Sequence, residues 1–285
     1  MLRKVEGVCR KREAEFVESK ITKGGSITPR GGFFDLPGDH VQRYVWVSEF
    51  ARTKRVLDAG CGRGYGSRYL LDEGASYVLG LDSDPDAIQF ARKSYGRPDC
   101  EFELCDVTKL ETAPASFDVV VSFEVIEHLV DVSGYLEGIS RVLKRVGLYV
   151  LSTPNKHNTI FFYRDGKSPN YFHVREYYPE ELLELLRANF SVEGLYVQFD
   201  KTIPDAQLEL LRRTAAYTID CPIPSSLRKI VPDAVKDLWL RHKHLSNMES
   251  GQPRGKWKNY VVERLDDPKE IDARYPTVLL TCRRA

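Results

Sequence analysis

Between residues 54 and 153 short apolar runs alternate with stretches whose apolar side chains recur at helical spacing. That alternation predicts a parallel sheet flanked by helices, an α/β fold. Runs at 55–59, 77–81, 101–105, 117–123 and 147–152 read as strands, and 117–123 is valine-rich, as a strand buried on both faces should be. Helices are expected at 64–71, 85–93 and 135–144. Asp84 is placed to cap the second of these, with Pro85 at its first position. Further on, 179–188 opens with Pro179, Glu180 and Glu181 and carries leucines at helical spacing. Runs at 190–197 and 277–282 supply the last two strands.

Two segments stand outside the pattern. Residues 1–50 form an N-terminal extension with a glycine-rich stretch at 23–38. Residues 200–274 contain helical pieces broken by Pro204, Pro222, Pro224 and Pro232, and read as a helical insertion or lid over the active site. The expected organisation is therefore an extension at 1–50, a core at 51–199, an insertion at 200–274 and a final core strand at 275–285.

Composition narrows the class without choosing the chemistry. The 285 residues are 42% hydrophobic and 29% charged, enough to bury a full core. Net charge is +1, so no overall bias toward nucleic acid or membranes exists. The six cysteines form no Cys-x-x-Cys pair, which argues against a zinc ribbon. Buried reduced thiols, a charged first 20 residues and no long apolar run together predict a cytoplasmic protein.

The densest chemistry lies in Val56-Leu57-Asp58-Ala59-Gly60-Cys61-Gly62-Arg63-Gly64-Tyr65-Gly66. A buried strand ends near Asp58, glycines make a tight turn, and a helix begins just beyond, so backbone can approach a ligand closely. Asp82 ends the second strand, 22 residues past Gly60, where a carboxylate can accept from both ribose hydroxyls. A dinucleotide fingerprint would need glycine at 65 or 67, which are Tyr65 and Ser67. Asp58 also suits a cationic amino group or sulfonium better than a diphosphate. Asp106, in Cys105-Asp106-Val107 after the third strand, is either an acceptor for an adenine amino group or a turn-capping aspartate.

These residues, with 79–82, 117–128 and 147–155, resemble the class I, Rossmann-like methyltransferases, above all the ubiquinone-biosynthesis O-methyltransferases and glycan-linked relatives. The resemblance implies a doubly wound, mostly parallel seven-stranded sheet with an antiparallel last strand. It also implies S-adenosylmethionine, held by Asp58, Gly60, Gly62 and Gly64 of the turn, by Asp82 and Ser83, and by Asp106, Val107 and Phe123. Asp39-His40-x-x-Arg43-Tyr44 resembles a box that precedes the domain in glycan-linked members, which implies Tyr44 over the cofactor.

Phe123-Glu124-Val125-Ile126-Glu127-His128 follows the fourth strand, at the sheet edge where chemistry gathers. If it turns into a helix, Glu124, Glu127 and His128 share a face. Three readings remain open. His128 is a general base, with Glu124 beside it in the catalytic site. Alternatively Glu124, Glu127, His128 and the distant His173 hold magnesium or manganese, as in the similar Glu-x-x-Glu-His segments of small-RNA and quinone O-methyltransferases. Or they are ordinary helix-start acids and a hydrogen-bonded histidine.

The leading expectation is an enzyme that O-methylates a small molecule, glycan or lipid-linked acceptor. N-methylation of a protein or amine, and a silent cofactor-binding regulatory module, are the competing classes. Basic side chains outnumber acidic ones by six over 212–258, with apolar residues interleaved. That segment is either a lid helix or a surface for weak peripheral contact with an anionic or lipid-linked substrate. A nucleic-acid acceptor is disfavoured by the lack of a long basic tract.

Overall fold

A computed structural model describes residues 38–162, 172–201, 260–272 and 275–285. Eight strands form one sheet: β1 Arg55–Ala59, β2 Tyr77–Asp82, β3 Cys100–Leu104, β4 Phe117–Phe123, β5 Leu143–Pro154, β6 Phe190–Asp200, β7 Tyr260–Leu265 and β8 Thr277–Arg284. Their spatial order is β3-β2-β1-β4-β5-β8-β6-β7. β1 to β5 pair in parallel, whereas β8 runs antiparallel to both β5 and β6. The reversed last strand is as expected, and the sheet has one strand more than the seven expected. That strand, β7, pairs antiparallel with β6, inside the stretch read as a helical insertion. Its Tyr-Val-Val core suits an edge ladder, and no alternation distinguished it from its surroundings. The basic run at 212–258 and the glycine-rich 23–37 lie outside the described residues.

Helices cover both faces. α1 Gly38–Ala51, α2 Tyr65–Asp72 and α3 Pro85–Tyr95 bury Tyr44, Val47, Leu70, Ile88 and Ala91 with Val56, Val78, Val119, Val121 and Val150 of the strands. On the other face, α4 Val132–Val142 and α6 Pro179–Leu186 pack against Leu57, Leu79, Leu81, Val120 and Leu151. A short α5, Lys156–Phe162, follows β5. Alternate residues of one strand thus feed opposite cores, which is why these strands read as continuous apolar runs. Asp84 caps α3 as expected, its Oδ1 accepting from Asp86 N at 2.9 Å. α4 starts three residues before the expected boundary because Asp131 caps it through Gly134 N at 2.9 Å. It ends early because Leu143 pairs with Phe117 and opens β5.

Candidate active site

At the carboxyl end of β1 the chain folds back on β2: Gly60 N and Cys61 N both donate to Leu81 O, at 2.8 and 2.9 Å. Gly62 has φ +52, and a Cβ there would meet no atom of the described residues within 4 Å. Gly64, at φ 81, leads into α2. Gly62 N donates to Asp82 Oδ2 at 2.7 Å, and Asp84 N donates to Oδ1 at 2.9 Å. The Asp82 carboxylate is thereby oriented at the lip of the turn while staying partly exposed, and Ser83 beside it is exposed.

Asp58 is fully buried behind the turn. Ser67 Oγ donates to its Oδ2 at 2.6 Å, and the Tyr44 hydroxyl lies 3.1 and 3.2 Å from its two oxygens. Burial pushes its carboxyl up to about 7, with the Ser67 and Tyr44 hydrogen bonds pulling the other way. Tyr44 reaches this position because Gly66 has no side chain: a Cβ there would stand 2.0 Å from the Tyr44 ring. The ring makes edge contacts with Tyr65 and Phe123, at 5.6 and 5.0 Å between centroids. Ser67 and Tyr65 entered the sequence reading only as departures from a dinucleotide fingerprint, and their contacts with Asp58 and Tyr44 were missed.

Asp106 caps the 3-10 turn Val107–Lys109, its Oδ1 accepting from Thr108 N at 3.0 Å and Thr108 Oγ1 at 2.7 Å. Those two hydrogen bonds hold its carboxyl below the usual range. It is exposed, and Val107 behind it is buried. The capping alternative is therefore seen directly, and its second oxygen faces outward near Lys109, 3.8 Å away.

The carboxyl end of β4 does not continue into an α-helix. Only Ile126–His128 turns, as a single 3-10 turn, and Glu124 before it has φ 56. For a non-glycine residue that backbone is strained, and its neighbours must hold it. Glu124 N donates to Ser152 O at 3.0 Å, Ser152 Oγ donates to Glu124 Oε1 at 2.8 Å, and Arg43 Nη1 lies 3.1 Å from the same oxygen. Glu124 is thus held by Ser152 and Arg43 and is not in the cluster of Glu127, His128 and His173.

Glu127 is fully buried; Thr153 Oγ1 donates to its Oε2 at 3.1 Å, and its Oε1 has no hydrogen-bond partner among the described residues. Burial, reinforced by the Glu124 charge, holds its carboxyl well above the usual range. Its carbonyl accepts from Val174 N and Arg175 N, at 2.8 and 3.1 Å, which pins the loop carrying His173 beneath β4. His128 Nδ1 lies 2.9 Å from Phe172 O. A carbonyl only accepts, so Nδ1 carries the proton and the lone pair of the neutral ring sits on Nε2. His173 Nδ1 meets Glu176 Oε1 at 2.6 Å, and the two imidazoles stand 4.8 Å apart, edge to face. One donor atom each from Glu127, His128 and His173 falls within 4.8 Å of the others. Glu176, Ser152 and Thr153 carried no signal in the sequence beyond their proximity to the expected site.

Comparison with known proteins bears on the donor half of this site. Residues 57–151 match the family model described as a methyltransferase domain. A "Probable S-adenosylmethionine-dependent methyltransferase" of Mycolicibacterium smegmatis is 42% identical over 156 residues, 54% of this chain and 58% of that protein. A ubiquinone biosynthesis O-methyltransferase of Neisseria meningitidis is 36% identical over 110 residues, 37% of this chain and 46% of that protein. The chain thus spans about half the length of the curated relatives it matches. An S-adenosylmethionine dependent methyltransferase from Mesorhizobium loti shares the fold, with TM-score 0.51 and 20% identity over 82% of this chain and 92% of that one. The family match makes residues 57–151 a methyltransferase domain, and their sheet order and glycine turn agree with the likeness to S-adenosylmethionine-dependent methyltransferases.

Proposed function

We propose that the protein transfers the methyl group of S-adenosylmethionine to a hydroxyl of a small-molecule or sugar acceptor. The observation that carries the acceptor half is His128: Phe172 O fixes its tautomer and leaves Nε2 to take a proton, at the sheet edge beside the donor turn. Methyl transfer from a sulfonium is an in-line displacement with a good leaving group. The chain must align nucleophile, methyl carbon and sulfur and exclude water. A hydroxyl nucleophile also needs its proton removed as the new bond forms, which is the task assigned to His128, while Glu124 is held by Ser152 and Arg43. In the donor half, Asp82 and Ser83 face the ribose hydroxyls, Asp106 and Val107 the adenine, and Asp58 the amino group. The likeness to a ubiquinone biosynthesis O-methyltransferase supports oxygen as the nucleophile.

Transfer of labelled methyl from the donor to a panel of sugars, phenols, lipids, amines and proteins tests the reading. Label on a nitrogen acceptor alone would replace O- by N-methylation, and label on none would leave a cofactor-binding regulatory module. An anionic or lipid-linked acceptor remains part of the proposal through the basic segment at 212–258, with weak peripheral membrane contact. No helix among the described residues is long and apolar enough to cross a membrane. The unpaired Cys61, Cys100, Cys105 and Cys282 support a reducing, cytoplasmic setting.

One observation favours a metal-assisted second reading. Among the described residues Glu127 Oε1 is buried without a hydrogen-bond partner, within a cluster that includes His128 and His173. Each imidazole engages an acceptor through Nδ1, the outer partner that ligating histidines usually have. These residues fit a divalent ion, and two imidazoles with one carboxylate suit manganese better than magnesium. Glu124, expected as a fourth ligand, is held by Arg43 instead. When bound, such an ion would act as a Lewis acid on the acceptor hydroxyl. Metal-free purified protein with full activity in chelator would remove this reading.

A further inference from the structure

Arg43 is the largest side chain with no exposure in the described chain, and no role in transfer has been given to it so far. A buried guanidinium loses its hydration, and an apolar replacement of similar volume is often as stable. Its contacts are therefore informative. Nε donates to Gln198 Oε1 of β6 at 2.7 Å, and Nη2 donates to Thr277 Oγ1 of β8 at 3.3 Å and to Asp39 Oδ2 of its own helix at 3.0 Å. Gln198 in turn donates through Nε2 to Asp39 O at 2.9 Å, closing a ring between α1 and β6. The remaining nitrogen, Nη1, faces Glu124 Oε1 at 3.1 Å, an ionic contact rather than a directed hydrogen bond.

The next residue along α1 is Tyr44, which grips Asp58 behind the glycine turn. Adjacent residues of one helix thus hold the donor end and the strained residue at the end of β4. We infer that Arg43 is a positioning residue: by clamping α1 to β6 and β8 and by holding Glu124, it sets Tyr44 on Asp58 and the Glu124 carboxylate together. The inference rests on the methyltransferase reading only in taking the glycine turn as the donor site. It differs from simple core packing because the clamp joins groups on both sides of the transfer.

The test uses the full chain and S-adenosylhomocysteine as probe, so that it does not depend on knowing the acceptor. Arg43→Met keeps bulk without charge, Arg43→Lys keeps charge without the fork, and Glu124→Gln removes the charge that Nη1 faces. Calorimetry should show Arg43→Met weakening the probe by at least about tenfold, with Arg43→Lys in between. Amide exchange should quicken in 41–51 while β1 and β4 stay protected. Glu124→Gln alone should weaken the probe by about threefold, and adding it to Arg43→Met should cost nothing further, since both act through one clamp. Wild-type affinity in Arg43→Met with unchanged exchange in 41–51 would overturn the inference. So would losses that multiply in the double variant, or exchange that quickens equally in every strand, which marks a packing residue. If Arg43→Met does not fold, Arg43→Lys decides: at least about threefold weakening with the strands protected supports the clamp, and wild-type affinity overturns it. Wild-type protein that takes up no probe would instead defeat the methyltransferase reading itself.

Discussion

The two ends of the site are built differently. At the donor end each carboxylate is satisfied: Asp58 by Tyr44 and Ser67, Asp82 by Gly62 N and Asp84 N, Asp106 by Thr108. At the acceptor end Glu127 keeps a buried oxygen without a hydrogen bond, and Glu124 sits in left-handed backbone. Satisfied groups rigidify a ligand site in advance, whereas an unsatisfied one stores an unfavourable interaction that a ligand, proton or ion can relieve. Under the proposed function, that difference prepares one end for binding and the other for chemistry.

The largest expected effect separates these two tasks. His128→Ala should lower kcat by about 10² to 10⁴ in steady-state methyl transfer, while calorimetry with S-adenosylhomocysteine changes by no more than about threefold. Equal losses in both would make His128 a structural residue and erase the contrast between the ends.

Next in size is a pH effect from Asp58. A cofactor amino group needs its carboxylate ionised, and burial raises that carboxyl to about 7. Affinity for S-adenosylhomocysteine should therefore fall by about tenfold per pH unit below 7 and level off above it. Calorimetry in buffers of different ionisation heat should show a proton released on binding at pH 6. Without cofactor the sign for stability is opposite. The folded group holds its proton where the unfolded one has lost it, so stability declines from the unfolded carboxyl's pH up to about 7, by roughly 4 kcal/mol. The melting-temperature difference between wild type and Asp58→Asn isolates this contribution, and a wild-type advantage that grows with pH over that window would contradict the burial of this acid.

Smaller still is Gly62→Ala. The added Cβ meets no atom of the described residues, and left-handed backbone costs an alanine about 1 kcal/mol, so the fold should survive. Affinity for the probe should nevertheless drop by about tenfold if the cofactor fills that space, since a methyl group there displaces it. Unchanged affinity would move the cofactor away from the turn.

Legibility in the sequence follows the same division. Glycines at 60, 62 and 64 and the strand-end aspartates act over short separations, so spacing alone exposed them, as it exposed β1 and β4. The acceptor end is assembled by pairs far apart in the chain: Glu127 with Thr153, His128 with Phe172, Arg43 with Gln198. No local pattern encodes such pairs. The conformation of 124–128, left open by the sequence, has a related cause. Its backbone is set by β5, through Ser152, and not by its own helical spacing. The eighth strand was missed because an edge strand needs only a neighbour to pair with.

The last and smallest effect probes the link between the two ends. Tyr44→Phe removes one hydroxyl that faces both oxygens of Asp58 and leaves the ring packed against Gly66 and Phe123. A hydrogen bond to a charged group contributes about 1.5 to 3 kcal/mol, and the lost donor leaves Ser67 as the remaining partner. The hydroxyl favours the ionised carboxylate, so its loss should raise the Asp58 carboxyl further and move the acid limb of probe binding to higher pH. Above that limb the cofactor's own amino group compensates, and affinity should lie within about threefold of wild type. A calorimetric series from pH 6 to 9 reads both quantities. A limb that stays in place, with affinity lowered equally at every pH, would mean that Tyr44 covers the cofactor by packing alone and that its contact with Asp58 is incidental.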